Sequence, residues 1–572
     1  MTDSHRRLAT IAAYVALFLV AVVLPCGIAA HYGALRIPRS DDWSYLLTLF
    51  RLLDHGRLGF NNWVSMTLVG QLALAAPVAW ITGNSIVAVH VFTAVLGFVG
   101  LVALVLSAEP EYRLRAWVLA FAIALCPLWA TLAPTFMSEV PSFAVQCVFL
   151  AFAFRALRAP ELTYGNFGGA MVVGFLAIAI RQYEIIPVLA VALVALVHGW
   201  RRPAERRRVI VVTAALAVTT AGLLGWWLSL PDSLSLAPAA QADGLVANFV
   251  VRMGGFVRIT GLCLLPVVIA IGPARTLGRA WRASAPLTAI VAAFGAAWLA
   301  VSYVPDTASP FVGNYVHLKG TLGDDVLLGA RVHVMPASLF RLLVLLGSVA
   351  AIVLLVSAVP AVVALWYRVR AHDRRTVADP IGAVLGLTIV GFAAAYGLAI
   401  VTKLPVFDRY VLQVLPVVGL AVIRSRAAES VGAPRAVRIA APWGVAAGFV
   451  VIAAAALVFA TDSASYDATR WHVAQDVVRA GWPAKRIDGG FEWVAWHRQL
   501  GPPAEGGSQE ERHRRKMEYL RPTCVDLVVA PRSRKLLRAA IATGTVHGLG
   551  HGPERIVAVR NDRPCPGSDV PR

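Results

Sequence analysis

A chain of 572 residues of which 58% are hydrophobic and only 15% charged has more apolar side chains than the interior of a soluble fold can hold. This excludes an ordinary soluble enzyme and leaves a polytopic membrane protein. The 52 Lys and Arg give a net charge of +20 but fall in short clusters between apolar runs, a pattern of membrane topology that argues against nucleic acid as a partner.

Taken from the N-terminus, Arg6 and Arg7 precede an apolar run too long for a signal-peptide core, so the first span is read as uncleaved. A membrane span needs roughly 20 apolar residues. Such runs lie near 11–30, 84–108, 116–134, 142–157, 168–181, 185–200, 209–230, 255–273, 286–304, 338–366, 380–402, 410–423 and 439–460, about thirteen in all. Met66–Thr82 is also apolar but short and interrupted by Pro77, and is expected to be interfacial or re-entrant. Leaving it out of the spans puts the clusters Arg201–Arg208 and Arg368–Arg375 on the side of the N-terminus, and the opposite loops are sparser in cations. The positive-inside rule then makes the N-terminus cytoplasmic.

An odd number of spans leaves the tail outside the cytoplasm. The chain divides on this reading into a transmembrane domain, 1–460, and a small extracytoplasmic α/β domain, 461–572. In the tail, Trp471–Gly481 reads as a helix with Val473, Val477 and Val478 on one side, and Val525–Ala530 and Arg555–Val559 read as strands. Gly501–Gln509 is a Pro/Gly-rich flexible stretch. Cys26, Cys126, Cys147 and Cys263 lie in apolar runs without metal-ligand spacing. Only Cys524 and Cys565 share a polar segment, where a bridge is expected if the two strands pair.

Four polar motifs fall on the extracytoplasmic side. The first loop carries Ser40-Asp41-Asp42-Trp43-Ser44-Tyr45, the second Thr135-Phe-Met-Ser-Glu-Val-Pro141 with Glu139, the third is Arg181-Gln182-Tyr183-Glu184, and the fourth Phe407-Asp408-Arg409-Tyr410. Each has a plain structural reading. Asp41 and Asp42 could cap a short helix, Ser138 or Glu139 could cap the next span, Arg181 could pair with Glu184, and Asp408 with Arg409. Together they put Asp41, Asp42, Glu139, Arg181 and Arg409 on one face of a helix bundle. Carboxylates there can take a proton from a hydroxyl or hold a divalent cation, Mg or Mn, at Asp42 and Glu139, and guanidinium groups match phosphate oxygens as a fork. Trp43, Tyr45, Tyr183 and Tyr410 suit the interface or stacking on a sugar ring.

With the acidic pair in the first external loop, the acid-Val-Pro of the second and the Asp-Arg-Tyr before a late span, the chain resembles integral-membrane glycosyltransferases of the GT-C class. It is most similar to bacterial relatives of the protein O-mannosyltransferase and lipid A aminoarabinose transferase group. The resemblance covers about residues 8–425 in layout. It implies a polyprenyl-phosphate sugar donor, an interfacial helix in the first external loop and a catalytic aspartate there. By position Asp41 is the general base, with Asp42 and Glu139 as supporting or metal-binding acids. Asp-Asp stands here where the family often has Asp-Glu, which leaves the base open between Asp41 and Asp42, and Glu139 stands where an aspartate is common.

The expected fold is therefore an all-α polytopic, GT-C-like bundle in the plasma membrane. The expected activity is transfer of a sugar from the lipid carrier to a hydroxyl of a glycan, lipid or protein acceptor in the cell envelope, by single displacement. Gln182 and Asp408 join the other motif residues as candidate substrate contacts, and Pro305–Pro336, with Asp306, Asn314, Tyr315, His317, Asp324 and Asp325, is the expected acceptor-side lid. A secondary transporter is the rival reading, but transporters usually place their charges and broken helices near the membrane midplane, whereas here the charges cluster at one face and His90 is the main ionisable residue inside a span.

Overall fold

The computed structural model describes residues 3–60, 63–159, 162–199, 203–230, 245–303, 315–324, 326–370, 379–401, 406–424, 435–498, 523–529 and 533–561. The chain starts with α1 (Asp3–Phe18), which passes through a π turn at Leu19–Val23 into α2 (Leu24–Tyr32). The wider turn sits immediately before Pro25, whose missing N–H cannot close an ordinary helical bond. Gly33, at a φ of 86°, ends the helix in the left-handed conformation that costs glycine little.

After this stop come α3 (Asp42–His55) and the short apolar α4 (Val69–Ile81), which contains Pro77 and fills the stretch expected to be interfacial or re-entrant. The bundle continues with α5 (Ile86–Ser107), α6 (Arg113–Ala124), α7 (Pro127–Leu132), α8 (Glu139–Arg158), α9 (Tyr164–Ile180), α10 (Ile185–Gly199) and α11 (Pro203–Ser229). Then follow α12 (Leu245–Cys263), α13 (Leu265–Ile271), α14 (Pro273–Ala283), α15 (Ala285–Val301), the two-residue strand β1 (Leu328–Gly329), α16 (Ala337–Ser357), α17 (Val359–Arg370), α18 (Pro380–Val401), α19 (Val411–Arg424) and α20 (Arg435–Arg479). The expected apolar stretches fall largely on these helices, with 116–134 divided between α6 and α7. Among the described residues, 9 helices are long and apolar enough to cross a membrane, and Val69–Ile81, Tyr164–Ile180 and Ala285–Val301 are shorter apolar helices. The chain is a mostly helical integral membrane protein.

Two close approaches set the frame of the bundle. A Cβ on Gly100 would lie 2.5 Å from the Ala144 Cα, so α5 and α8 meet with backbone nearly touching backbone. Near the start of α4, Thr67 Oγ1 donates to the Ile178 carbonyl at 2.7 Å and the Leu68 amide to the Ile180 carbonyl at 3.2 Å, tying α4 to the end of α9. These contacts fix the N-terminus of α8 and the C-terminus of α9, where two of the polar motifs stand.

The expected boundary at 460/461 does not exist as a break. α20 runs for 45 residues, roughly 68 Å at 1.5 Å per residue, and carries the chain from the bundle into the tail. The expected helix Trp471–Gly481 is its last part. Val473 and Val477 are buried there, but Val478 is exposed, since only the i, i+4 pair shares a face. The tail adds β2 (Ile487–Asp488), α21 (Phe491–Arg498), β3 (Val525–Val529), α22 (Arg534–Arg538), β4 (Ala542–Val546) and β5 (Glu554–Arg560). The expected strands correspond to β3 and β5, which pair antiparallel with Val525 opposite Arg560.

β4 lies antiparallel on the far side of β5, and β1 and β2 lie parallel against opposite ends of β3. One strand of the tail sheet thus comes from the loop between α15 and α16. The tail core joins Trp471, Trp493, Val525, Leu527, Ile556 and Ala558 to Ile37 and Trp43 of the first loop. Cys524 is disulfide-bonded and Cys26, Cys126, Cys147 and Cys263 are free thiols. Cys565 and Gly501–Gln509 lie outside the described residues, as do Asp306, Asn314 and Asp325 of the expected lid.

Candidate active site

Each polar motif opens a helix. Asp41 immediately precedes α3 and Glu139 is the first residue of α8. Arg181 is the extended residue between α9 and a 3-10 turn, Gln182–Glu184, that leads into α10. Arg409 lies in the 3-10 turn Asp408–Tyr410 that opens α19. Four helix N-termini therefore converge, and their aligned amides make the locality favourable to negative charge.

The side chains join in a chain of alternating charge. Arg409 Nη2 donates to Asp41 Oδ2 at 2.8 Å, and its Nε lies 2.9 Å from Glu139 Oε1. Arg181 Nη1 approaches the same Glu139 oxygen at 2.7 Å from the other side. Side-chain exposure is 17% for Asp41 and only 6%, 1% and 3% for Arg409, Glu139 and Arg181, so Asp41 is the member of the group that solvent reaches. Its second oxygen accepts from Trp63 Nε1 at 2.7 Å. Burial pulls both guanidiniums down, but Glu139 and, for Arg409, Asp41 outweigh it and hold them above their ordinary value. Both stay cationic. The local alternatives give way to contacts across the bundle: Arg181 pairs with Glu139, Glu184 accepts from the Ser142 hydroxyl at 2.6 Å, and the Arg409 guanidinium reaches Asp41 and Glu139. Nor does Asp41 cap α3, because its carboxylate is turned towards Trp63 and Arg409.

Asp42 joins two segments of the chain. It is fully buried, and its carboxylate accepts from the Arg39 amide at 2.5 Å and the Phe136 amide at 3.2 Å, with His90 Nε2 at 3.1 Å. It thereby ties the turn before Asp41 to the segment that ends at Glu139. Burial raises its pKa, and His90 opposes the rise. His90 Nδ1 faces the Leu35 carbonyl at 3.1 Å. With an acceptor at each ring nitrogen, a proton must lie between Nε2 and the carboxylate, as imidazolium with carboxylate or imidazole with carboxylic acid.

Several expected substrate contacts are used internally. Asp408 is buried and accepts from the amides of Tyr315 and Val316 at 2.9 and 2.8 Å, anchoring this part of the expected lid beside Arg409, and burial raises it to about 6. Trp43 is fully buried in the tail core against Trp63, with centroids 5.9 Å apart, and cannot stack on a sugar. Tyr45 is buried too, and burial raises its hydroxyl pKa. Gln182 Nε2 donates to the Ser65 carbonyl at 3.1 Å. Tyr410 lies under Arg181, 4.4 Å from ring centroid to guanidinium, and Tyr183 and Tyr396 pack on it at 6.3 and 6.1 Å.

A divalent cation at Asp42 and Glu139 does not fit these surroundings. Asp42 is occupied by two amides and His90, and one Glu139 oxygen already faces two guanidiniums. Among the described residues no group of three or more His, Cys, Asp or Glu is placed to hold a metal ion.

Sequence reasoning missed Trp63, which had no signal beyond an aromatic in a polar stretch. It also missed the tail's part in the site. Phe491 of α21 stacks on Trp63 at 5.8 Å and 19°. Arg39 bonds Asp467 Oδ2 at 2.9 Å and Ser463 at 2.8 Å, both on α20, and the Ser40 amide reaches Glu492 at 3.3 Å. The loop that presents Asp41 is thus clamped by the tail.

No protein-family model and no curated protein matches this sequence. Two solved structures of ArnT from Cupriavidus metallidurans, one bound to undecaprenyl phosphate and one in the apo state, are similar in layout at 13% identity. The likeness covers 97% of this chain and 98% of theirs, with TM-scores of 0.39 and 0.38. Scores this low set no residue-by-residue correspondence, and the chemistry rests on this chain's own side chains.

Proposed function

We propose that the chain is a membrane glycosyltransferase that moves a sugar from a polyprenyl-phosphate carrier to an acceptor hydroxyl, with its N-terminus cytoplasmic and the site on the extracytoplasmic face. The observation that carries the reading is the solvent-reachable carboxylate of Asp41 at the open end of an otherwise buried Arg409–Glu139–Arg181 chain. A base that an acceptor can reach stands next to two guanidiniums and several helix N-termini that suit a phosphate. Charges gathered at helix ends, rather than halfway along them, weigh against the transporter reading.

The sugar on such a carrier already has a phosphate leaving group. The acceptor hydroxyl approaches Asp41, which removes its proton as the oxygen attacks the anomeric carbon. The bond from that carbon to the phosphate oxygen breaks, and the electron pair leaves with polyprenyl phosphate, whose charge Arg409 and Arg181 neutralise by electrostatic preorganisation. A single displacement of this kind inverts the anomeric centre. Glu139 holds both guanidiniums in place, and Asp42, through the Arg39 and Phe136 amides, fixes the distance between base and cations.

The test is transfer from a polyprenyl-phosphate sugar by the purified protein and its Asp41→Asn variant. Loss of about 10²- to 10⁴-fold in turnover with normal donor binding is expected for a general base. Full activity in Asp41→Asn would overturn the assignment.

A further inference from the structure

One carboxylate beside the charged site takes no part in the chemistry derived above. Glu184 ends the 3-10 turn between α9 and α10, is fully buried, and accepts at Oε1 from the Ser142 hydroxyl at 2.6 Å. That length is typical of a hydroxyl donating to an ionised carboxylate. Among the described residues no Lys, Arg or His forms an ion pair with it, and Arg181, its neighbour in the turn, is taken by Glu139. Asp41, Glu139, Arg181 and Arg409 already sum to zero, so Glu184 adds an unmatched negative charge inside the bundle. Helix N-termini offset part of it. A lone carboxylate out of water remains costly unless a counter-charge or a proton reaches it.

The facing helix supplies further polar groups. Glu139, Ser142 and Gln146 stand at i, i+3 and i+7 of α8 and share one face. This polar stripe runs from the charged site into the bundle for roughly 10 Å at 1.5 Å per residue. Gln146 is fully buried, and neither its amide oxygen nor its amide nitrogen has a hydrogen-bond partner; Glu184 Oε2 is likewise without one. Glu184 acts electrostatically on Cys147, the residue after Gln146, which sets the carboxylate against this turn of α8. A buried amide left unpaired is destabilising, so its presence here, next to an unmatched carboxylate, points to a ligand.

We propose that Glu184 Oε2, Gln146 Oε1 and Ser142 Oγ hold a monovalent cation of the sodium class. Carboxylate, amide and hydroxyl oxygens are hard donors, and the Ser142 hydroxyl keeps lone pairs while it donates to Glu184. A single positive charge neutralises Glu184, whereas a divalent ion would leave the interior charged. Ion sites in membrane bundles commonly lie where a helix is interrupted, as the path from α9 to α10 is at Arg181–Glu184. Bound there, the cation removes the competition of Glu184 with Glu139 for Arg181. The proposal stands independently of sugar transfer, since binding alone defines it.

The test is equilibrium binding of radioactive sodium to the full-length protein in neutral detergent, with choline chloride holding the ionic strength constant. Saturable binding at a single site per chain is expected at alkaline pH, and Glu184→Gln should abolish it. Gln146→Leu, which keeps the volume, should move the midpoint about tenfold to higher sodium, as expected for the loss of one ligand. Sodium should also raise the melting temperature of the unaltered protein and leave that of Glu184→Gln where it is. If Glu184→Gln does not fold, Gln146→Leu decides, because an amide that holds no ion can be replaced without effect on sodium binding. A midpoint in either variant equal to that of the unaltered protein overturns the site. Absence of saturable binding even at alkaline pH means that a proton neutralises Glu184, and the proposal is wrong.

Discussion

The buried pair of Glu139 and Arg181 gives the sharpest quantitative test of the site. Asp41, Glu139, Arg181 and Arg409 sum to zero charge, and Glu139 and Arg181 are too buried for water to screen them. Glu139→Gln leaves Arg181 buried with no carboxylate, while Arg409 keeps Asp41. Removing one partner of a buried pair costs about 3–5 kcal/mol. Arg181→Gln is milder, about 1–3 kcal/mol, because Glu139 retains Arg409. The double variant restores neutrality and leaves no isolated charge. It should be less destabilised than the sum of the single variants by about 1.5–3 kcal/mol. Unfolding by a denaturing detergent in mixed micelles, followed by circular dichroism, measures all four proteins on one scale. Additivity to within about 0.5 kcal/mol would show that the two side chains do not interact as described.

Other outcomes can be checked separately. Arg181→Lys should weaken the apparent donor Michaelis constant or turnover severalfold with normal expression, because an ammonium cannot hold Glu139 and a phosphate with one planar fork; unchanged donor kinetics would remove Arg181 from the site. Gly100→Ala should cost about 1–3 kcal/mol in the same unfolding assay, since its Cβ would meet the Ala144 Cα at 2.5 Å. His551 Nε2 lies 3.0 Å from Asp462, and that contact first of all raises the His551 pKa above its ordinary 6.5. The stabilisation is therefore complete below the unfolded value and is lost as pH rises through the folded one. Protease resistance of the tail should fall as pH rises from about 6.5, and His551→Gln should flatten that dependence. In denatured, unreduced protein Cys524 should resist maleimide until a reductant is added. Because Asp42 and Glu139 are already engaged, chelation with EDTA should leave transfer unchanged.

Helix positions were legible because a membrane span repeats one requirement over many residues, and the apolar runs meet it without reference to neighbours. The motif residues Asp41, Glu139, Arg181 and Arg409 were legible for the opposite reason: charges at the edge of apolar runs need partners. Which partner each would choose was not legible. Adjacency favours Asp408 for Arg409 and Glu184 for Arg181. The structure instead pairs Arg409 with Asp41 and with Glu139, because the N-termini of α3, α8 and α19 meet. Asp41 and Asp42 are neighbours of identical chemistry, and only the burial of one against Phe136 and His90 separates their surroundings. The sequence likewise gives no hint that Arg39 reaches Asp467, a contact made only because α20 continues past the bundle.

β1 has a consequence for engineering. The segment that contributes it is held by Asp408 at Tyr315 and Val316, beside Arg409, and further on by Glu554, which accepts from the Val332 amide at 2.7 Å and contacts Arg331 at 3.2 Å. Leu328 and Gly329 lie opposite Val528 and Val529 in the sheet. The C-terminal portion is therefore no detachable cassette. A chimera that grafts another protein's tail after α20 would leave this segment without its partner strand and slacken its grip at Arg409, and only a graft that also transplants Tyr315–Pro336 should keep the two ends in register.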